Sequence, residues 1–93
     1  MPKKTAKIPK LHLATITILV KDREKHSPEV NRILTENGRL ILARLGVNVQ
    51  RHCIGHCTAM ITVALEASAK DINRITKELD QLYGITAKSL ILV

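Results

Sequence analysis

The spacing of apolar and polar residues predicts four strands. Residues 11–20 are apolar or β-branched on both faces, which predicts a strand buried within a sheet. Apolar residues alternate with polar ones over about 39–52 and again over 57–66, which is the period of strands with one covered face. A fourth apolar segment, residues 85–93, predicts a final strand docked in the same sheet.

Local signals predict the first helix, between the first two strands. Ser27 is a favourable N-cap and Pro28 a favourable first helical residue. Asn37 and the glycine after it form a typical stop, because glycine readily adopts the left-handed conformation that helix ends use. We therefore predict a helix over 27–37, although residues 39–45 also fit a continuation of the helical spacing.

A second helix is predicted over 69–83, where apolar residues recur every three or four positions. Ser68 is its expected cap and Gly84 its expected end. The complete order predicts one α+β domain over 11–93 with the ferredoxin-like βαββαβ arrangement, in which two helices cover one face of an antiparallel sheet.

The hairpin between the second and third strands decides which residues share a face. Val47 and Ile61 must lie on one face to cover the core, which requires an odd number of loop residues. A three-residue loop over 53–55, ending in a left-handed glycine, satisfies this condition and places His52 opposite His56. The helix-free face then carries the candidate ligand or subunit surface, which comprises Arg44, Gly46, Asn48, Met60 and Thr62.

The composition favours self-association. Apolar residues make up 45% of the chain, yet Phe and Trp are absent and Tyr83 is the only aromatic residue of this class. A core built from Ile, Leu, Val and Ala in a chain of 93 residues is thin, and association buries apolar surface that one copy cannot. We predict a homo-oligomer, a dimer or tetramer, that forms through the partly apolar helix-free face.

The formal net charge of +7 is concentrated at the start of the chain. Lys3, Lys4, Lys7 and Lys10 lie in the first ten residues, which contain no acid. This predicts a flexible basic arm over 1–10, with nucleic-acid binding through the arm as an alternative role. Base stacking on the sheet is not expected, because the strands contain no aromatic residue.

Other patterns exclude several classes of protein. The N-terminal residues lack the apolar segment of a secretory signal, no apolar run is long enough to span a membrane, and two cysteines are too few for a secreted disulfide scaffold. We therefore expect a cytoplasmic protein with no membrane contact. Glycine-rich phosphate loops, HExxH motifs and nucleophile elbows are also absent, so we expect no enzymatic activity.

The segment HCIGHC, residues 52–57, is the one sequence cluster of metal-capable side chains. Thiolate and imidazole groups are ligands of Ni, Zn, Cu and Fe, which makes His52, His56, Cys53 and Cys57 the candidate metal ligands. The predicted register opposes a single site, since Cys57 points away from the two histidines. The alternatives are a metal-free hairpin tip and a Cys53–Cys57 disulfide, which a reducing compartment disfavours.

Four segments carry a resemblance to a known family: LVKDREK at 19–25, EVNRIL at 29–34, ILARLGV at 41–47 with the Arg-x-Gly pair Arg44 and Gly46, and DINRITKELDQLYGITAKS at 71–89. They are similar to the small ACT-like domains of the iron-only hydrogenase system regulator family. The resemblance covers roughly residues 12–93 and implies an ACT-like ferredoxin fold, self-association through sheet edges or faces, and a regulatory role. The loop over 21–28 lacks the glycine typical of amino-acid-binding ACT domains, which argues against a bound amino acid.

Three functions follow from these observations. The first is a non-catalytic, ligand-sensing regulatory domain, with a transition metal as one candidate ligand. The second is a structural module whose role is to assemble. The third is a nucleic-acid-associated protein that uses its basic arm.

Overall fold

Four strands and two helices follow one another in the order that the sequence predicts, βαββαβ. The computed structural model describes residues 9–50 and 52–93, so most of the predicted basic arm lies outside the described residues. A short 3-10 turn precedes the second strand. The elements are β1 (Leu11–Val20), α1 (Arg23–Glu36), the 3-10 turn (Gly38–Leu40), β2 (Ile41–Asn48), β3 (Ala59–Ser68), α2 (Ala69–Asp80) and β4 (Ile85–Ile91).

The strands form one antiparallel sheet in the order β2-β3-β1-β4. This order, with both helices over one face, confirms the predicted ferredoxin-like βαββαβ arrangement. It leaves β1 and β3 at the centre of the sheet and β2 and β4 at its edges. The bounds of β1 agree with the prediction, and those of β3 and β4 differ from it by about two residues.

The core consists of aliphatic side chains between the two helices and the two central strands. Alternate residues of β1 and β3 point into it, as the period of two requires. Burial of each such Ile or Leu side chain stabilises the fold by roughly 1.5–3 kcal/mol. The largest fully covered side chains are Ile16, Ile18 and Val20 of β1, Val63 and Leu65 of β3, Val30 and Leu34 of α1, and Ile72, Ile75 and Leu79 of α2.

Helix α1 begins at Arg23 and not at Ser27, so the prediction of its start is wrong. Asp22 caps it in the left-handed conformation, with φ of 54°, and its carbonyl accepts hydrogen bonds from the N–H groups of Lys25 and His26. Pro28 therefore lies inside the helix. Its missing N–H removes one helical hydrogen bond, and the turn before it is held by the Asp22 carbonyl.

The predicted end of α1 at residue 37 is confirmed to within one residue, since the helix ends at Glu36, but the mechanism differs from the predicted one. Gly38 does not adopt a positive φ and instead opens the 3-10 turn. The side chain of buried Asn37 makes the cap, because its Nδ2 donates to the Ile33 carbonyl at 2.8 Å. Its Oδ1 accepts from Arg74 at 3.1 Å, which joins the end of α1 to α2.

Helix α2 begins as predicted, with the Ser68 hydroxyl accepting a hydrogen bond from the Asp71 N–H at 3.1 Å. The helix ends at Asp80 and not at the predicted residue 83, and the turn that follows it places Gly84 in the left-handed region at φ of 77°. A Cβ at Gly84 would lie 2.8 Å from the His26 ring, so both the conformation and the space require glycine. The edge of the Tyr83 ring also meets His26, with the ring centroids 5.7 Å apart.

The register of β2 differs by one residue from the predicted register. Gly46 pairs with Ile61 and Arg44 with Val63, and a bulge lies between Ile41 and Ala43. A shift of one residue exchanges the two faces of a strand. The prediction required apolar residues of β2 to cover the core, but β2 is an edge strand and none of its residues is buried.

The helix-free side of the sheet, called the open face below, is partly apolar. Cross-strand partners share a face, so the rows of this face can be read from the register. Leu45 and Leu90 are 66% and 61% exposed, and Leu13 is 44% exposed. The open face comprises Leu11, Leu13, Thr15, Thr17 and Leu19 of β1, Ala43, Leu45 and Val47 of β2, Met60, Thr62, Ala64, Glu66 and Ser68 of β3, and Thr86, Lys88 and Leu90 of β4.

Candidate functional site

An open groove lies on the helix side of the sheet, between α1 and the edge strand β2. Its volume is about 350 Å³, which falls at the lower end of the range for small-molecule sites. The polar residues that line this α1–β2 groove are Arg23, Ser27 and Asn31 of α1 and Arg44 and Asn48 of β2, while Gly46, Val47, Ala59 and Ile61 form the rest of the surface.

Both arginines of the groove are held by asparagines across it. Arg44 Nη2 of β2 donates to Asn31 Oδ1 of α1 at 2.6 Å. A second contact has its donor on the helix: Arg23 Nη1 of α1 donates to Asn48 Oδ1 of β2. The two pairs link the helix to the edge strand. Among the described residues, neither arginine forms an ion pair with a carboxylate.

Gly46 keeps the groove surface open between these pairs. The bulge of β2 lies nearer the start of the strand, between Ile41 and Ala43, and not at this glycine. A Cβ at Gly46 would meet only Ile61 Cγ1, at an ordinary distance of 3.8 Å. Its φ is not in the left-handed region. A larger side chain at this position would therefore fill the groove without strain in the backbone.

The structure divides the five candidate ligand or interface residues between two faces. Arg44, Gly46 and Asn48 lie together in the α1–β2 groove, whereas the prediction placed them on the helix-free face. Met60 and Thr62 do lie on the open face, as predicted, with Val47 and Leu45 as their partners on β2. The separation follows directly from the one-residue shift in register.

Three groove residues on α1 were missed by the sequence analysis. Arg23, Ser27 and Asn31 are four residues apart, which places them on one side of a helix. A spacing of four residues is a sequence signal for one face of a helix. It was not recognised because the helix was predicted to begin at Ser27, which left Arg23 in a loop.

The hairpin loop between β2 and β3 spans the ten residues 49–58 and not the predicted three. Gly55 and His56 both adopt left-handed conformations, with φ of 76° and 48°. This turn brings the Cα atoms of Cys53 and Cys57 to 5.7 Å, and the two residues form a disulfide. The expectation that both thiols are free is therefore wrong. It was based on the reducing compartment alone and did not include the turn that brings the two cysteines together.

The loop also contacts the start of α1. His56 Nδ1 donates to Asp22 Oδ2 at 2.8 Å, and the Arg23 N–H donates to the Cys57 carbonyl at 2.8 Å. The hydrogen bond from His56 lowers the pKa of the Asp22 carboxyl below its ordinary value, against the opposing effect of desolvation. Because Arg23 also lines the groove, this one residue connects the hairpin loop with the groove.

The four candidate metal ligands are not brought together. Since β2 ends at Asn48, His52 and His56 are not strand partners, and the prediction that they face each other is wrong. His56 is directed to Asp22 and both cysteines are in the disulfide. Within residues 9–50 and 52–93, no group of three or more His, Cys, Asp or Glu side chains is arranged to hold a metal ion.

Comparisons with known proteins extend the fold assignment. The structure of uncharacterized protein TM1266 from Thermotoga maritima is 28% identical in sequence, covers 90% of this chain and 100% of that chain, and superposes with a TM-score of 0.80. CPII, a nitrogen regulatory PII-like protein from Thiomonas intermedia K12 bound to ADP, AMP and bicarbonate, is 12% identical over 90% of this chain and 99% of its own, with a TM-score of 0.50. At that identity the likeness to CPII shows the fold alone.

A search of curated proteins gave no significant match. None of the helices in the described part of the chain is long and apolar enough to cross a membrane.

Residues 12–89 match the TM1266-like family, which carries the description "Iron-only hydrogenase system regulator, putative". That description is of a regulator and not of an enzyme. The chain belongs to the TM1266-like family of iron-only hydrogenase system regulators.

Proposed function

We propose that this chain is a non-catalytic regulatory domain that senses a small ligand in the α1–β2 groove. The observation that carries the proposal is the placement of Arg23 and Arg44 by Asn48 and Asn31, around a surface that Gly46 leaves open. Side chains fixed in advance by their neighbours lose less conformational entropy on binding. This arrangement suits recognition of a ligand.

The chemistry of the groove also favours binding over catalysis. Its described polar lining consists of guanidinium, amide and hydroxyl groups, none of which accepts protons near neutral pH. Ser27 is the one nucleophile type among them, and a serine hydroxyl needs an adjacent base to act. The described lining supplies none.

Ligand binding can be tested by blocking the groove. Mixtures of small metabolites should shift the amide resonances of residues 23–31 and 44–48 in NMR spectra of the wild-type protein. Gly46→Val should abolish these shifts, because the new side chain occupies the groove. Gly38→Val is the matched control, since Gly38 has open space around it and lies outside the groove. Equal binding by Gly46→Val and wild type would refute this site.

We further propose that copies of the chain associate through the open face. The supporting observation is the exposure of Leu45, Leu90 and Leu13 on one sheet surface that the helices leave uncovered. Several exposed apolar side chains on one uncovered face are typical of protein interfaces. Assembly as a dimer or tetramer would let a ligand signal pass between subunits.

Light scattering measures this directly. The wild-type mass should correspond to a dimer or tetramer, and Leu45→Lys should reduce it, because a charge would be buried in the interface. Ile54→Lys is the control, as Ile54 is fully exposed in the hairpin loop and outside the open face. A wild-type protein that is monomeric at all concentrations would contradict the assembly.

A metal-responsive function requires a different state of the hairpin. With the cysteines joined and His56 engaged by Asp22, a metal would need the reduced, rearranged loop. Untagged protein should therefore be reduced, incubated with Ni or Zn, dialysed and analysed for metal. Stoichiometric metal that disappears in His52→Ala/His56→Ala would support a hairpin site, and metal that persists in this variant would exclude it.

A further inference from the structure

We infer that the ligand of the α1–β2 groove is a small anion, whose carboxylate or phosphate group is bound by Arg23 and Arg44. This inference rests on the proposed function and specifies the chemical class of the ligand. Nothing in the family description names a ligand. The reasons lie in the charge and hydrogen-bonding capacity of the groove residues.

Four arginines in the described part of the chain fall into two groups by what they contact. Arg32 on α1 pairs with Glu29 at 3.1 Å and Glu36 at 3.0 Å, and Arg74 on α2 pairs with Asp71 and Glu78 at 3.3 and 3.4 Å. Each of these two guanidinium charges lies between two carboxylates one helical turn away. The charges of Arg32 and Arg74 are thus compensated within the chain.

Arg23 and Arg44 contact asparagines and no carboxylate among the described residues, whereas Arg74 contacts Asn37 in addition to its two carboxylates. An amide oxygen accepts a hydrogen bond and fixes the orientation of the guanidinium, but it carries no charge. Both groove arginines therefore stay positive and uncompensated among the described residues. Of the acids near Arg23 in sequence, Asp22 is bound to His56 and Glu29 to Arg32, and Glu24 forms no ion pair with either groove arginine among the described residues.

The hydrogen-bonding capacity of the groove points the same way. Arginine only donates, so Asn31 and Asn48 must present their Oδ1 atoms to it, and their Nδ2 groups remain as donors. The remaining N–H groups of the two guanidiniums add further donors. A groove rich in donors and positive charge selects a ligand rich in acceptors, and guanidinium matches the planar carboxylate or the phosphate group in geometry.

The size of the groove favours a small molecule over a protein segment. A volume of about 350 Å³ holds a metabolite-sized ligand. Its lining includes only residues 44–48 of the eight-residue strand β2, which is a short stretch for an extended peptide.

The test uses three probes with the full-length protein: succinate, its neutral analogue succinamide, and inorganic phosphate. We expect succinate or phosphate to shift the amide resonances of residues 23–31 and 44–48, and succinamide to leave them unchanged. Arg44→Gln or Arg23→Gln should weaken binding by about tenfold or more, as expected for loss of a charge-assisted hydrogen bond. Comparison of succinate with phosphate identifies which of the two groups is preferred.

Arg32→Gln and Arg74→Gln are the matched controls, because they remove the same charge outside the groove. Their affinities should stay within about twofold of wild type if the effect is local. An equal loss in these controls would overturn the inference by showing non-specific attraction to net charge. Groove binding of succinamide as tight as that of succinate would overturn it while leaving the groove as a ligand site. If no probe shifts the groove resonances, and metabolite mixtures bind Gly46→Val as well as wild type, both proposals fall.

Discussion

Arg44 Nη2 donates a hydrogen bond to Asn31 Oδ1 at 2.6 Å, and this contact joins the edge strand β2 to helix α1. It places Arg44 on the helix side of the sheet, whereas the sequence-based register placed this residue on the helix-free face. The contact is exposed, so its effect on stability should be modest.

A double-mutant cycle with Asn31→Ala and Arg44→Ala should give a coupling free energy of about 0.5–1.5 kcal/mol in urea unfolding, as hydrogen bonds of this kind contribute. The control cycle pairs Arg44→Ala with Asn73→Ala, since Asn73 is an exposed asparagine of α2. That cycle should show no coupling. Additive effects in the first cycle would mean that the Arg44–Asn31 contact does not form in solution.

The register of β2 can be tested by NMR without any substitution. Cross-strand NOEs should connect Gly46 with Ile61 and Arg44 with Val63. The sequence-based register predicts instead that Val47 lies opposite Ile61. A shift of one residue exchanges the two faces of the strand. An NOE between Val47 and Ile61 as direct partners would therefore show that Arg44 lies outside the groove, and both ligand proposals would lose their basis.

Loss of the Cys53–Cys57 disulfide should lower the free energy of unfolding by about 2 kcal/mol, the value that chain entropy gives for so short a loop. The measurement is urea unfolding of the wild-type protein with and without dithiothreitol. Cys53→Ser/Cys57→Ser should match the reduced wild type and should not respond to dithiothreitol. A wild-type stability that is the same in both conditions would show that the bond does not persist in solution.

The hydrogen bond from His56 to Asp22 predicts a defined acid dependence. Because the folded-state pKa of Asp22 is lowered, its contribution to stability is present above its unfolded-state pKa and is lost as pH falls through its folded-state pKa. His56→Gly removes the donor and keeps the left-handed backbone conformation, so the NMR titration midpoint of the Asp22 carboxyl should rise.

His52→Gly is the control for this titration, as His52 is an exposed histidine of the same loop. It should leave the Asp22 midpoint at the wild-type position. The pairing would be disproved by equal Asp22 midpoints in wild type and His56→Gly.

Gly84→Ala should destabilise the fold by about 1–2 kcal/mol from left-handed strain, with an added steric cost against the His26 ring. Gly38→Ala should change stability by no more than about 0.5 kcal/mol, because Gly38 has open space and no left-handed φ. Adding His26→Ala to Gly84→Ala should recover the steric part. Equal stabilities of the two glycine variants would contradict the close contact.

The parts of the fold set by local signals were predictable. The Ser68 cap, the end of α1 before Asn37 and the bounds of β1 each follow from nearby residues or from the hydrophobic pattern. The start of α1 was not, since Ser27 and Pro28 are the stronger local signal, whereas the left-handed Asp22 has contacts with the distant hairpin loop.

The candidate site was predicted only in part for a similar reason. Arg44, Gly46 and Asn48 were identified together, but their face depends on a register that the core does not determine, because β2 lies at the edge. The state of the cysteines depends on two consecutive left-handed residues, and a histidine at the second position gives little sequence signal for that conformation.

The position of Tyr83, whose ring contacts His26, determines which part of the protein its absorbance and fluorescence report on. With no Trp and a single Tyr, the aromatic absorbance and fluorescence originate from one ring, which is 88% exposed. That ring lies beside the first turn of α1, away from the aliphatic core. Intrinsic fluorescence will therefore report on the junction of α1 with the turn before β4, and a transition that loosens the core alone will be visible only by circular dichroism of the peptide bonds or by NMR.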